Sequence, residues 1–275
     1  MVHAKKSLGQ NFLMHARIAE RIVLVAELQP DTTVFEVGPG TGMLTRELVK
    51  KVKKVIALEA DASLVAELQA TFADEIREGR LELIHGDIRD MYHNSRYSVN
   101  EGTFENGAEN MWDRLPKGYV LVANIPYYLT GEIFRLFLAA DNQPHSMTLL
   151  VQKEVAERVA RSKKESIFSL SVKAYGTPHY EFTVPRGAFT PAPKVDSAVL
   201  TVRDISRRRF TSRAHEERFF SLLHAGFAHK RKLLKNNLSN LVPEKMLRDS
   251  GVYEGARAED LPLLVWLGLA SIHSS

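Results

Sequence analysis

The sequence predicts an α/β fold: a doubly wound, mostly parallel sheet of seven strands over residues 1–205, followed by a small all-helical domain over 206–275. Three observations carry this reading. A strand, a glycine loop and a helix follow one another over 32–50, which is the first half of a nucleotide-binding βαβ unit. Short apolar runs then alternate with helical periodicity as far as residue 203. Beyond 203–211 the strand pattern stops and apolar residues recur at helical spacing.

In chain order, Ile18, Ile22, Val25 and Leu28 give an amphipathic helix that Pro30 and Asp31 close. TTVFEV at 32–37 reads as a buried strand, followed by Gly38-Pro39-Gly40-Thr41-Gly42 and a helix over 43–50. A second strand over 54–58 ends in Glu59, 21 residues past Gly38. One helix is expected over 61–78, stopped by Gly79, and a third strand over 81–85. Residues 92–110 have little periodicity and read as a long polar loop. A strand over 120–123, a helix over 131–140, a strand over 146–152 and helices over 153–161 and 167–175 follow. Strands over 179–184 and 197–203 close the sheet as a partly antiparallel pair. In the C-terminal part, Phe219, Leu222, Leu223 and Phe227 form an apolar stripe. Residues 227–235 read as a helix with a basic face, and 257–261 start the last helix.

Composition narrows the possibilities. The apolar fraction, 44%, supports a substantial core. Cysteine is absent, which removes disulfides, thiolate nucleophiles and cysteine zinc sites. The ten histidines include no HExxH spacing, so no metal is expected. No apolar run is long enough for a membrane span, which needs roughly 18 residues, and the first residues lack a signal-peptide core; a cytoplasmic protein is expected. The net charge is only +4, but residues 203–235 hold ten Lys or Arg against three Asp or Glu. That segment fits either a polyanion or a solvated helical face.

The chemistry is concentrated at strand ends. In an open α/β sheet, ligands bind beyond the carboxyl ends of the strands. There the chain places Asn124-Ile125-Pro126-Tyr127. The exocyclic amine of adenine is a poor nucleophile because its lone pair is delocalised into the ring. Asn124 Oδ1 and the Ile125 carbonyl can accept its two N–H bonds and favour a tetrahedral nitrogen. Pro126 can aim the preceding carbonyl, and Tyr127 can stack on the base. Taken alone, these four residues also fit an ordinary turn. The loop is GxGxG, without the third glycine of the dinucleotide pattern. With Gly38 and Gly40 for close backbone approach and Glu59 to accept two ribose hydroxyls, it fits S-adenosylmethionine, which has no phosphate. Asp87 can accept from an adenine N6–H and Ile88 can cover the ring, or Asp87 can simply cap a turn. Between two prolines and the preceding strand, Phe189 reads as an exposed ring near the site, able to stack on a flipped base, or else as an inward loop anchor.

These residues resemble a known family. LGQNFL at 8–13, EVGPGTG at 36–42, Glu59, GDI at 86–88, NIPY at 124–127, LLVQKEVAERV at 149–159 and FTPAPKVDS at 189–197 look like the ribosomal RNA adenine N6,N6-dimethyltransferases. The resemblance implies a Rossmann-like class I S-adenosylmethionine-dependent methyltransferase fold. It implies a donor pocket that includes Gln10, Asn11, Leu13, Gly38, Gly40, Glu59, Asp87, Ile88 and Asn124. It implies that Asn124, Ile125 and Tyr127 hold the target adenine and that Phe189 clamps it. It further implies a monomer acting on small-subunit rRNA in the 30S particle or its precursor, with Lys230, Arg231, Lys232 and Lys235 on the RNA backbone. The long stretch at 92–110, and Gly131-Glu132 after NIPYYLT, depart from the family pattern. Rivals are the large-subunit methylases of macrolide resistance, a non-catalytic assembly or transcription factor on the same fold, and a dehydrogenase, in which NIPY has no role.

Overall fold

The computed structural model describes residues 9–93 and 111–271. Most of the polar stretch expected at 92–110, together with Leu8 and the lysines before it, lies outside the described residues. Two compact units emerge: residues 1–156 with 179–205, and residues 157–178 with 206–275. The 1–205 and 206–275 division read from the sequence does not separate out the 157–178 excursion. Leu170 and Ala174 of that excursion pack in one cluster with Phe219, Leu223 and Trp266, and sequence distance hides this.

The first unit begins with β1 (Phe12–Leu13) and α1 (Ala16–Val25). Then come β2 (Thr33–Val37), α2 (Met43–Lys51), β3 (Lys54–Glu59), α3 (Ala62–Thr71), α4 (Ala73–Arg77), β4 (Leu81–His85) and α5 (Asp90–His93). After the undescribed stretch come β5 (Val120–Asn124), α6 (Thr130–Ala139) and β6 (Ser146–Gln152). The chain passes through α7 (Lys153–Ala160) and α8 (Ile167–Tyr175) to β7 (Thr177–Val184), β8 (Phe189–Thr190) and β9 (Ser197–Arg203). Among the described residues the large sheet has seven strands in the order β4-β3-β2-β5-β6-β9-β7. The β2–β3, β3–β4, β2–β5 and β5–β6 pairs are parallel, and β6–β9 is antiparallel. β9 inserts between β6 and β7, which gives the closing antiparallel element that the sequence led us to expect.

β2 is buried on both faces from Val34 to Val37, as a central parallel strand must be. Val34, Phe35, Leu121 and Val122 are fully buried. Each contributes about 1.5–3 kcal/mol relative to exposure, and together they fix the register of β2 on β5. The chain turns back between β2 and β5, so the strand order reverses there and a crevice opens at the carboxyl ends.

The helix expected over 61–78 is broken. Asp61 caps α3, accepting from the Ser63 N–H at 3.0 Å. The helix stops before Phe72, whose buried ring packs beneath the glycine loop, and α4 restarts after it. α8 forms despite its β-branched content, because Ser166 and Ser169 build a capping box at its start.

In the second unit, α9 (Arg213–Phe227) is capped by Ser212, and α10 (Leu234–Asn237), α11 (Glu244–Asp249) and α12 (Leu263–Ala270) follow. Gly226 admits the Trp266 ring: a Cβ there would lie 2.4 Å from Trp266 Cη2. The helix expected over 227–235 ends at Phe227, and residues 228–233 form turns. Asn237 Nδ2 donates to the Gly226 and His229 carbonyls, taking up acceptors that a continuing helix would use. The last helix starts at Leu263, because Pro262 separates it from the short 3-10 turn Ala258–Asp260.

Candidate active site

An open cleft lies at the carboxyl ends of β2, β3 and β5 in the first unit; with the solvent space at its mouth it encloses about 1010 Å³. All twelve residues expected for donor and target line it: Gln10, Asn11 and Leu13; Gly38 and Gly40; Glu59, Asp87 and Ile88; Asn124, Ile125 and Tyr127; and Phe189.

The floor is the glycine loop. Gly38, Gly40 and Gly42 all have positive φ, from 59° to 77°, which other residues adopt only with strain. Gly42 starts α2, and a Cβ on it would lie 2.6 Å from the Phe72 ring. Glu59, buried at the end of β3, ties this loop to the next. Its Oε2 accepts the Gly40 N–H at 3.1 Å and its Oε1 accepts the Asp61 N–H at 3.0 Å. Burial raises the Glu59 pKa and these backbone donors pull it back. Each oxygen keeps acceptor capacity for a ligand hydroxyl. Beneath it, Glu36 is fully buried and accepts from Thr45 Oγ1 at 2.7 Å. Burial, opposed by that hydrogen bond and assisted by the nearby Glu59 charge, pushes its pKa up to about 8.

Asn124 ends β5, opposite Leu150 of β6. Its Nδ2 donates to the Asn11 carbonyl at 3.1 Å, and Asn11 Nδ2 in turn donates to the Gly9 carbonyl at 3.1 Å. This fixes the amide's orientation and leaves Oδ1 as its acceptor. Pro126 has φ −56°, and a 3-10 turn, Tyr127–Leu129, follows. The Tyr127 hydroxyl shares a 2.7 Å hydrogen bond with Ser197 Oγ, which is fully buried at the start of β9. Burial raises the Tyr127 pKa, opposed by the bond to Ser197, so the phenol stays neutral. The ring is thus held at both ends, by its backbone turn and by a strand 70 residues away.

Asp87 is held in a fork by Arg89, whose guanidinium reaches Oδ2 at 2.6 Å and keeps the carboxyl below its usual pKa. An adenine N–H at Asp87 would share a carboxylate already serving Arg89. Phe189 needs a correction. It is not an exposed ring but 4% exposed, in β8 opposite Leu13 of β1, and packed with Leu13, Val184, Ala188 and Val199. The prolines after it hold the loop, and the ring takes the inward anchor position and forms cleft wall.

The sequence reading missed Tyr128 and Phe12 in the cleft and Ser197 behind Tyr127. Tyr128 stood next to NIPY and was legible by position. Ser197 was not, since only the packing of β9 brings it to Tyr127. In the second unit, Lys230, Arg231 and Lys232 are exposed in the turns after α9. Lys235 instead pairs with Glu244 at 3.5 Å and Glu254 at 3.2 Å. Among the described residues no group of His, Asp and Glu is placed to hold a metal, and no helix is long and apolar enough to cross a membrane.

Similarity to known proteins extends over nearly the whole chain. The chain is 38% identical over 280 residues to the ribosomal RNA small subunit methyltransferase A of Dehalococcoides mccartyi, covering 99% of this chain and 89% of that protein. It is 36% identical to the Bacillus pumilus protein of the same name, over 94% and 84%. The solved 23S rRNA methyltransferase ErmE superposes with a TM-score of 0.72 at 26% identity, covering 94% of this chain and 98% of that one. A dimethyladenosine transferase from Plasmodium falciparum shares the fold, with a TM-score of 0.73 at 23% identity over 94% and 95%. A family profile described as ribosomal RNA adenine dimethylase covers residues 1–274. With that span and these identities, this methyltransferase chain belongs to the ribosomal RNA adenine dimethylase family.

Proposed function

We propose that the protein transfers methyl groups from S-adenosylmethionine to N6 of two adjacent adenosines in a 3′-terminal hairpin of small-subunit (16S) rRNA. The products are N6,N6-dimethyladenosines, made during small-subunit maturation. One observation carries the reading: an asparagine at the cleft whose amide N–H is committed to the Asn11 carbonyl, so that its oxygen is the atom left to receive an amine.

The cleft residues fit the donor. Glu59 has acceptor capacity for two ribose hydroxyls at the end of β3, and Gly38 and Gly40 permit close approach. Ile88 and Asp87 suit the adenine, and Gln10, Asn11 and Leu13 line the same cleft. S-adenosylmethionine, when bound, supplies a methyl on a sulfonium, which leaves as a neutral thioether and needs no acid.

The protein's own contribution is orientation and hydrogen-bond acceptance. Asn124 Oδ1 and the Ile125 carbonyl accept the N6–H bonds and draw the lone pair out of conjugation. Tyr127, braced by Ser197, holds the base face, and Phe189 limits it from the cleft wall. No strong base is required, because the alkylated nitrogen becomes acidic and water takes its proton. Lys230, Arg231 and Lys232 supply phosphate contacts, and Lys235 supplies less because it is paired. The particle acted on is the 30S subunit or its precursor, met in the cytoplasm by a monomer.

A second reading, the 23S methylase, is favoured by the ErmE superposition. The 38% identity to small-subunit enzymes outweighs the 26% identity to ErmE. Mass mapping of modified adenosines after treatment of 30S particles and of naked 23S RNA separates the two. The proposal expects paired N6,N6-dimethyladenosines in the 30S sample; methylation of 23S RNA alone overturns it.

A further inference from the structure

Two tyrosines stand side by side on the 3-10 turn after Pro126 and have different surroundings. Tyr127 is half-buried and tethered to Ser197. Tyr128 also lines the cleft, yet 54% of it faces solvent. It is not a loosely hung side chain. Its ring lies against Gly9, where a Cβ would come within 3.0 Å of Tyr128 Cε1 and 3.2 Å of Cδ1. Gly9 has φ +59°, so both its backbone and the ring beside it call for glycine. Through the Gly9 carbonyl the same segment holds Asn11, and through the Asn11 carbonyl it holds Asn124. Among the described residues no other aromatic ring stacks on Tyr128.

A base drawn from an RNA strand into a cleft stays linked to its neighbours through single phosphodiester bridges. The neighbours therefore arrive at the rim, unstacked on the side the target has left. A braced, solvent-facing aromatic ring at that rim is a surface on which any base can stack. We propose that Tyr128 is the stacking platform for the nucleobase adjacent to the target adenine, holding the flanking nucleotide at the rim while the target sits inside. The inference rests on the reading that the cleft takes an adenine from an RNA strand. It adds a determinant of strand position, in which the face of the ring matters and its hydroxyl does not.

The test is steady-state methylation of 30S particles with tritiated donor by the Tyr128→Trp, Tyr128→Leu and Tyr128→Ala proteins, with donor affinity measured by calorimetry. Leu and Ala should lower kcat/KM for the particle by roughly 5- to 150-fold, the range that corresponds to one lost base stack. Trp should hold kcat/KM at or above half the wild-type value, and donor affinity should stay within about twofold throughout. Equal activity of the Leu and Trp proteins overturns the platform. So does a parallel loss of donor affinity, which would make Tyr128 a support for residues 9–13. Wild-type protein and Asn124→Ala run alongside. If wild type does not methylate the particle, the underlying reading fails as well. If it does, Asn124→Ala is inactive, and the Tyr128 series is flat, only the platform fails.

Discussion

The cleft of the first unit and the basic turns of the second are built on opposite principles. The cleft gathers side chains from widely separated parts of the chain and fixes them with part-buried hydrogen bonds: Asn124 to Asn11, Glu59 to Gly40, Tyr127 to Ser197. The basic cluster is contiguous in sequence, exposed, and carried on turns that Asn237 ties to the end of α9. Chemistry that must aim a lone pair needs the first kind of construction. Phosphate attraction, which is long-ranged and tolerant of geometry, needs only the second. Substitutions should therefore act on rate and donor affinity in one region, and on salt-dependent RNA affinity in the other.

The largest effect is expected at Asn124. Asn124→Ala should lower kcat by about 10²–10³-fold or more, the scale of one lost preorganised polar contact, with donor affinity within a few-fold of wild type. Single-turnover methyl transfer and a donor titration check both halves. A smaller, different loss is expected at Glu59. Glu59→Ala removes the acceptor for the Gly40 and Asp61 amides and should weaken donor binding by about tenfold to a hundredfold, read by calorimetry.

The basic turns should respond otherwise. Replacing Lys230, Arg231 and Lys232 by Ala should leave the donor constant unchanged and reduce the slope of log affinity against log salt by up to about 0.7–0.9 per lost phosphate contact. Lys235→Ala should change that slope less, because the lysine already serves Glu244 and Glu254. Equal effects at all four positions would break the distinction drawn between paired and exposed cations.

A last effect concerns stability and leaves the site's chemistry aside. Glu36 has a folded pKa raised to about 8 from 4.5, so between those values the folded state holds a proton that the unfolded state has lost. Its contribution is intact below about pH 4.5 and is lost as pH rises through about 8. Urea unfolding should therefore show wild type losing stability relative to Glu36→Gln as pH rises from 5 to 8. A pH-independent difference would place the ionised form in the fold at neutral pH.

Much of the cleft was legible in the sequence because strand ends in a parallel sheet have a fixed use. Once Gly38, Glu59, Asp87 and Asn124 were placed at such ends, topology alone brought them to one edge. What could not be read depended on packing. Phe189 looked exposed beside its prolines, yet β8 pairs with β1 and turns the ring into the core. The basic run looked helical by composition, but Asn237 ends α9 first. Phe72 sits within a helical pattern and still breaks it, because its ring fills the space under Gly42. Helix 167–175 belongs to the second unit through Leu170 and Ala174, which no local pattern announces.

The most direct measurement is a crystal structure of the protein with a non-reactive donor analogue and an adenosine in the cleft. The account predicts Asn124 Oδ1 and the Ile125 carbonyl oxygen both within about 2.7–3.2 Å of N6. An adenine whose amine is held by other groups, with residues 124 and 125 turned away from it, would contradict the account.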